Sequence, residues 1–207
     1  VVLEHFDIEP VNISMTSDAY SQGSGLASSS SYIISLIKAI SLMKKLNLDD
    51  IQICNLAYKL ELSFNPFCGY QDPYGCGVGG LKRIEFENGG IIKYNFIDSD
   101  IFEYYDMHLV FTGVVRSSLE ILKKVTENIE KSKPLLRILE KAYLELKNKN
   151  YDNFVNLIED SWHEKKKTTE YIVKNKNLKN LDEYLSQNPS VKAHKLCGAG
   201  NGGFFLI

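Results

Sequence analysis

A cluster of small residues runs from Gly23 to Ser31 and leads directly into an apolar sequence with helical spacing, marked by Ile33, Ile37 and Ile40. Glycine and serine let a backbone approach an anion closely. The N-terminus of the following helix would add unpaired N–H groups and the positive end of its dipole. We therefore predict a phosphate-binding loop, although the same serines could simply cap the helix.

Two further glycine-rich segments favour the phosphate interpretation: GYQDPYGCGVGG at 69–80 and CGAGNGG at 197–203. Asp72, in the first of them, is a candidate general base, because a carboxylate near an acceptor hydroxyl can take or orient its proton. An Asx turn is the alternative, since Asp72-Pro73 in a glycine-rich loop is common turn chemistry. The chain has no G-x-x-x-x-G-K-[ST] sequence, which argues against a P-loop kinase.

Four motifs in order resemble the GHMP small-molecule kinases, and within them the heptose 7-phosphate kinase group. They are the glycine-serine loop, LAYKLELSF at 56–64 with GYQDPYG after it, LVFTG at 109–113 followed by RSS, and EDSWHEKK at 159–166; CGAGNGG resembles the late glycine loop of the family. The resemblance covers nearly the whole chain. It implies that ATP and Mg²⁺ are bound.

The resemblance implies an α+β, two-domain GHMP kinase fold. Residues 1–100 would form the N-terminal, ATP-binding domain (ribosomal-protein-S5-domain-2-like, here incomplete), and residues 101–207 a ferredoxin-like C-terminal domain. Relatives continue beyond both ends of the chain, so we expect a fragment that lacks N-terminal and C-terminal segments.

Site residues follow from the matched motifs. Ser29 matches the second serine of the family loop and is expected to bind Mg²⁺ together with Glu61, with a one-residue shift to Ser30 left open. Glu61 lies eleven residues before Asp72, the spacing of the corresponding family pair; without the resemblance it would be a surface residue. The expected ATP-binding residues are Gly23, Ser24, Gly25, Leu26, Ala27, Ser28, Ser29 and Ser30.

The acceptor site is expected to use cations and the late glycine loop. Arg116, Lys165 and Lys166 match positions of the heptose-kinase motifs and suit a sugar phosphate, although each alone could be a solvated charge. Gly198, Ala199 and Gly200 are expected to shape the substrate wall, with a plain β-turn as the alternative. Trp162 is interpreted as core packing, and the four histidines receive no role.

The function implied is transfer of the γ-phosphoryl group of Mg·ATP to the anomeric hydroxyl of D-glycero-D-manno-heptose 7-phosphate, for nucleotide-activated heptose and surface polysaccharide. The alternatives are another sugar C1 kinase, similar to fucokinase or galactokinase, and a non-catalytic homologue that binds sugar or nucleotide. In either kinase the partner is a sugar or sugar phosphate.

Composition agrees with an ordinary soluble globular protein: 207 residues, 44% hydrophobic, 24% charged, with a net charge of −2. This charge gives no reason to expect nucleic acid or a membrane as partner. The four cysteines lack metal spacing, so we expect reduced thiols in a cytoplasmic protein. The oligomeric state is left open.

Periodicity and breakers predict the elements. We expect one strand within residues 1–20, a loop around Asp72, a hairpin of 81–86 and 91–96, a strand at 107–111, and strand residues on both sides of the late glycine loop. Helices are expected at 28–46, from Asp49 to about 62, and at 117–131, 134–148, 151–173 and 178–187.

Overall fold

The structure is a computed structural model that describes residues 1–18, 23–87, 92–115 and 118–207. Its contacts divide the chain into two compact units. Unit 1 comprises Val1–Ser21, Ala27–Gly80 and Ile84–Lys93; unit 2 comprises Gln22–Leu26, Leu81–Arg83 and Tyr94–Ile207. The division into family domains at residues 1–100 and 101–207 stays a prediction.

The described residues of unit 1 form four helices: α1 (Val2–His5), α2 (Ser28–Met43), α3 (Asp50–Leu62) and α4 (Gln71–Gly77). The predicted start of α3 is confirmed, because Asp49 caps it. The N–H of Gln52 donates to Asp49 Oδ1 over 2.8 Å, and Gln52 Oε1 accepts from the Asp49 N–H over 2.9 Å. This reciprocal pair is a capping box. The side chains shared by α2 and α3 form a core of Ile33, Ile34, Ile37, Ile53 and Ala57.

The strand predicted within residues 1–20 is wrong for the described part, residues 1–18. That part forms the short helix α1 and then an irregular segment, in which the apolar side chains of Val11, Ile13 and Met15 are exposed. Alternating apolar residues form a strand only where a partner strand supplies hydrogen bonds and an apolar surface. No described residue does so here.

Asp72 lies in a helix rather than in the predicted loop. It is the second residue of α4, followed by Pro73, which a first helical turn tolerates because its missing N–H would have had no intrahelical partner. Gly77 lets α4 approach α3 closely, since a Cβ at this position would lie 2.2 Å from Cys54 Sγ. Tyr74 is buried and its hydroxyl donates to Asn55 Oδ1 over 2.7 Å, which fixes the helix.

The predicted hairpin strands are confirmed as β1 (Lys82–Phe86) and β2 (Ile92–Phe96), which form a two-stranded sheet. The turn residues Asn88, Gly89 and Gly90 lie outside the described residues.

A three-stranded antiparallel sheet lies in unit 2, with the strand order β3 (Leu109–Phe111), β5 (Phe204–Leu206) and β4 (Lys195–Leu196). Val110 and Leu196 both face Phe205 of the central strand. The strands at 107–111 and around the late glycine loop are thereby confirmed, and the late loop connects β4 to β5.

Four helices accompany this sheet: α5 (Ser118–Glu127), α6 (Lys133–Lys147), α7 (Tyr151–Thr168) and α8 (Lys176–Gln187), with 3-10 turns at Asp100–Glu103, Ile129–Ser132 and Glu170–Val173. Helix α7 ends earlier than predicted because Thr169 is extended, with φ −161° and ψ 145°. The buried core of unit 2 contains Ile121, Trp162, Ile172, Leu178, Leu185, Leu196 and Phe205. Helices against an antiparallel sheet confirm the α+β class, and the packing of Trp162 is confirmed as core.

Across the part of the chain that the structure describes, no helix combines the length and the apolar character needed to cross a bilayer.

Candidate active site

In the glycine-serine loop before α2, every second residue from Gly23 to Ala27 has a positive φ angle. Gly23 and Gly25 have φ of 62° and 76°, and Ala27 has φ 55°. The two glycines adopt this region at little cost, whereas alanine pays about 1–2 kcal/mol for it. Ala27 is the N-cap residue of α2 and no side chain makes a cap hydrogen bond there. The N-cap position is thus occupied by an alanine rather than by one of the serines.

Ser30 and Glu61 form a buried polar pair between α2 and α3. The Ser30 hydroxyl donates to Glu61 Oε2 over 2.5 Å, and both side chains are nearly inaccessible to solvent, with exposures of 0% and 3%. Ser29, one residue earlier, is exposed. Of the two serines considered as partners of Glu61, the structure brings Ser30 to the carboxylate.

The donor atoms of this pair suit Mg²⁺, which prefers hard oxygen ligands and keeps several waters. Within residues 1–18, 23–87, 92–115 and 118–207, no group of three or more His, Cys, Asp or Glu side chains could hold a metal ion. A hydroxyl and one carboxylate would therefore form a thin protein shell, with phosphate oxygens and water as the remaining ligands.

Asp72 and Glu61 are both neighbours of the Cys68 thiol. Burial raises the pKa of Cys68, and the negative charges of Glu61 and Asp72 raise it further, to about 12. Asp72 itself is exposed. Unit 1 thus holds a buried carboxylate, Glu61, and an exposed carboxylate, Asp72, near one thiol. Cys68 was not predicted as a site residue, and its position directly before the GYQD motif is the signal that could have indicated it.

The late glycine loop is held at several points within unit 2. Asn201 adopts φ 56°; its N–H donates to the Ile172 carbonyl over 2.7 Å, and its Oδ1 accepts from the Asn175 N–H over 3.0 Å. At the other end, a Cβ on Gly203 would lie 2.1 Å from the Ser24 carbonyl oxygen. The Phe204 N–H donates to that same oxygen over 3.1 Å. The loop is therefore a fixed element against Ser24, which a plain β-turn would not require.

The predicted acceptor cations have different surroundings. Lys165 Nζ donates to the Gly198 carbonyl of the late loop. Lys166 Nζ lies 2.8 Å from Asp182 Oδ2 and 5.1 Å from the centre of the Trp162 ring. Arg116 lies outside the described residues. Lys165 therefore lies at the predicted substrate wall, whereas Lys166 contacts Asp182 and the core residue Trp162.

A buried polar network behind Lys166 was not found by sequence reasoning. His194, 1% exposed, lies between two carboxylates, with Nε2 2.8 Å from Asp182 Oδ1 and Nδ1 3.1 Å from Glu159 Oε2. Trp162 Nε1 also donates to Asp182 Oδ1, over 2.6 Å. Burial alone would raise the pKa of Asp182, but hydrogen bonds from His194, Lys166 and Trp162 outweigh it and lower that pKa to about 2. These contacts join residues far apart in sequence, which no local spacing reveals.

The chain is similar in sequence to known kinases. Residues 1–80 match the family described as GHMP kinases N terminal domain. A D-glycero-alpha-D-manno-heptose 7-phosphate kinase of Campylobacter jejuni is 27% identical over 218 residues, which cover 100% of this chain and 64% of that protein. An L-fucokinase/L-fucose-1-P guanylyltransferase of Bacteroides fragilis is 30% identical over 113 residues, which cover 52% of this chain and 12% of that protein.

The fold is shared with solved kinases. The crystal structure of Lactococcus lactis galactokinase complexed with galactose superposes with a TM-score of 0.73 at 18% identity, covering 99% of this chain and 63% of that one. The chain thus spans slightly less than two thirds of the length of the heptose kinase and of the galactokinase. The chain is thus similar to GHMP kinases over residues 1–80 and to a heptose 7-phosphate kinase over its whole length, and it shares the fold of a solved galactokinase.

Proposed function

We propose that the protein is an ATP-dependent sugar kinase that transfers the γ-phosphoryl group to the anomeric hydroxyl of D-glycero-D-manno-heptose 7-phosphate. The observation that carries the proposal is the buried hydrogen bond between Ser30 and Glu61, directly after a glycine loop. Burial of this pair would have no use if the serine and the glutamate were ordinary surface residues. It is useful next to a triphosphate, because the two side-chain oxygen atoms can then share a cation with the phosphate oxygens.

In this proposal the loop from Gly23 to Ser30 holds the phosphates. Its glycines at 23 and 25 admit the phosphate oxygens, and backbone N–H groups of the loop and of the first turn of α2 donate to them. Ser30 and Glu61 would hold Mg²⁺, with Ser29 as the alternative hydroxyl given by the family motif. The cation supplies charge neutralisation at the phosphate oxygens when bound.

Asp72 would orient the acceptor hydroxyl and take its proton as the bond to phosphorus forms. Its exposure is what a base that meets a substrate needs.

Arg116, Lys165 and the wall formed by Gly198, Ala199 and Gly200 would bind the acceptor. Lys165 is held at this wall by its bond to Gly198. Lys166 can bind a sugar phosphate only by leaving its ion pair with Asp182, so we assign the acceptor phosphate to Arg116 and Lys165 first.

The heptose kinase relative, matched across the entire chain, supports the heptose acceptor. From the resemblance of the motifs to the heptose kinase group we also propose a role in making nucleotide-activated heptose for surface polysaccharide. The fucokinase relative, matched over half of the chain, supports a second candidate, an unphosphorylated sugar such as fucose. For either acceptor we propose a cytoplasmic enzyme, because ATP and sugar phosphates are made there.

The test is ADP release by the intact protein with Mg·ATP and a panel of acceptors: heptose 7-phosphate, fucose, galactose and mevalonate. We expect heptose 7-phosphate to give the highest kcat/KM. A preference for fucose or galactose would overturn the acceptor and retain the sugar kinase. Turnover with mevalonate alone, or with none of the panel, would contradict the sugar kinase itself.

A further inference from the structure

Thr112 makes two hydrogen bonds to one carbonyl in the late glycine loop. It follows β3 and is 8% exposed. Its N–H donates to the Gly203 carbonyl oxygen over 2.9 Å, and its Oγ1–H donates to the same oxygen over 2.8 Å. The Val114 N–H in turn donates to Thr112 Oγ1 over 3.3 Å, which orients the hydroxyl. Two donors from one residue fix the direction of this carbonyl as well as its position.

Gly203 is held from its other side too, and it touches the phosphate loop. Its N–H donates to the Val114 carbonyl over 2.9 Å. Its φ is 93°, and an added Cβ would lie 2.1 Å from the Ser24 oxygen and 2.7 Å from the Ser24 carbonyl carbon. The Phe204 N–H then donates to that oxygen over 3.1 Å. Gly203 therefore packs directly against the peptide that joins Ser24 to Gly25.

Ser24 governs the next residues of the phosphate loop. It is 2% exposed, and its Oγ accepts a hydrogen bond from the Leu26 N–H over 3.2 Å. A shift of the Ser24 carbonyl would rotate the following peptide, because a carbonyl and the next N–H belong to the same planar unit. The position of Ser24 thus sets the direction of the Gly25 N–H.

We propose that Thr112 is a positioning residue for the nucleotide, which acts through Gly203 on the Ser24-Gly25 peptide of the phosphate loop; this rests on the proposed ATP site. Thr112 has no contact with the phosphates in this role. The backbone N–H of Thr112 would be enough to pair this residue with Gly203. The side-chain hydroxyl adds the second hydrogen bond, and a valine of nearly equal shape would lack it.

The experiment compares Thr112→Val, Thr112→Ser and a matched control, Thr168→Val, in the intact protein. Thr168 is buried at 2% exposure and its hydroxyl donates to the Lys165 carbonyl over 2.7 Å, so the control also removes a buried hydroxyl from a carbonyl. Calorimetry with the non-hydrolysable analogue AMP-PNP and Mg²⁺ gives Kd, and thermal melts give the stability of each variant.

We expect Thr112→Val to raise Kd for AMP-PNP about fivefold to tenfold, because the Ser24-Gly25 peptide would then have to be ordered when the nucleotide binds, at a cost of about one hydrogen bond of typical strength. Thr112→Ser, which restores the hydroxyl, should lie within about twofold of wild type, and so should Thr168→Val despite a similar fall in Tm. The KM for ATP should rise with Kd, and the KM for the sugar should stay constant. If Thr112→Val does not fold, Thr112→Cys replaces it, because a thiol is a weak donor.

A Thr112→Val protein with wild-type Kd and a lowered Tm would overturn the positioning role, since the hydroxyl would then serve stability alone. A wild-type protein that binds AMP-PNP and transfers phosphate to no sugar would overturn the proposed function and leave the Thr112 comparison intact. A wild-type protein that fails to bind AMP-PNP would overturn both.

Discussion

The Ser30 hydroxyl donates to the Glu61 carboxylate over 2.5 Å inside unit 1, while the neighbouring Ser29 faces solvent. The two serines differ by one residue, which turns a side chain by about 100° around a helix. They therefore give a matched pair of variants.

We predict that Ser30→Ala raises the Mg²⁺ concentration needed for half-maximal turnover, because it removes a proposed ligand of the cation. The same variant should lower the free energy of unfolding by about 1–3 kcal/mol, because the buried Glu61 carboxylate loses its hydrogen-bond donor. Ser29→Ala should change stability by less than about 0.5 kcal/mol. Mg²⁺ titrations of ATP turnover and urea unfolding measure both effects. A larger Mg²⁺ effect in Ser29→Ala would return the ligand role to the serine of the family motif.

Asp72→Asn should lower kcat about 100-fold or more, since general-base catalysis contributes about 100- to 10,000-fold. The Kd for AMP-PNP should change less than threefold, because Asp72 is assigned to the acceptor rather than the nucleotide. Asp50→Asn is the control: it also removes an exposed carboxylate from the first turn of a helix in unit 1. A drop in kcat below about threefold would leave Asp72 as a structural residue of α4.

The thiol of Cys68 reports on the same carboxylates without any substrate. Its pKa is raised to about 12 by burial and by Glu61 and Asp72, so iodoacetamide should label it slowly at pH 8 and faster as the pH rises. Asp72→Asn removes one negative charge, lowers this pKa and should speed the labelling. Cys197, whose raised pKa comes from its own burial, should keep its rate in the variant. Equal Cys68 rates in the two proteins would place Asp72 away from the thiol.

The network around Asp182 predicts a dependence of stability on pH. The pKa of Asp182 is lowered from 3.8 to about 2 in the folded chain, so its contribution is fully present above about pH 4 and is lost as the pH falls through 2. This shift corresponds to about 2 kcal/mol. Urea unfolding of Asp182→Asn at pH 7 should show a loss of this order that shrinks at pH 3. Asp160→Asn, which changes an exposed carboxylate of α7, should show no such loss at either pH.

Local signals in the sequence predict most of the elements. The start of α3 follows from Asp49 and Gln52, and the helices of unit 2 follow from apolar spacing between breakers. The predicted strand before the glycine loop failed because Val11 and Ile13 alternate without a partner among the described residues. The predicted loop at Asp72 failed because Gly75 and Gly77 suggest irregular backbone, whereas Gly77 is small in order to pack on Cys54.

The sequence predicted which segments form the candidate site, but not which side chains within them contact one another. A run of four serines carries no information on which hydroxyl faces α3, because that depends on where α2 begins, at Ser28. Lys166 was predicted from a motif, and its ion pair with Asp182 depends on a residue 16 positions away. The joining of Thr112, Gly203 and Ser24 likewise requires the tertiary structure, since Thr112 and Gly203 are 91 residues apart.

Phosphorus NMR of the reaction tests the central claim most directly, because it identifies the bond that forms. The intact protein with Mg·ATP and heptose 7-phosphate should convert the γ-phosphate signal into that of a sugar C1 phosphate, in equal amount with ADP, and Asp72→Asn should suppress this conversion. Retention of all ATP, or its conversion to ADP and inorganic phosphate with no sugar phosphate formed, would contradict the account.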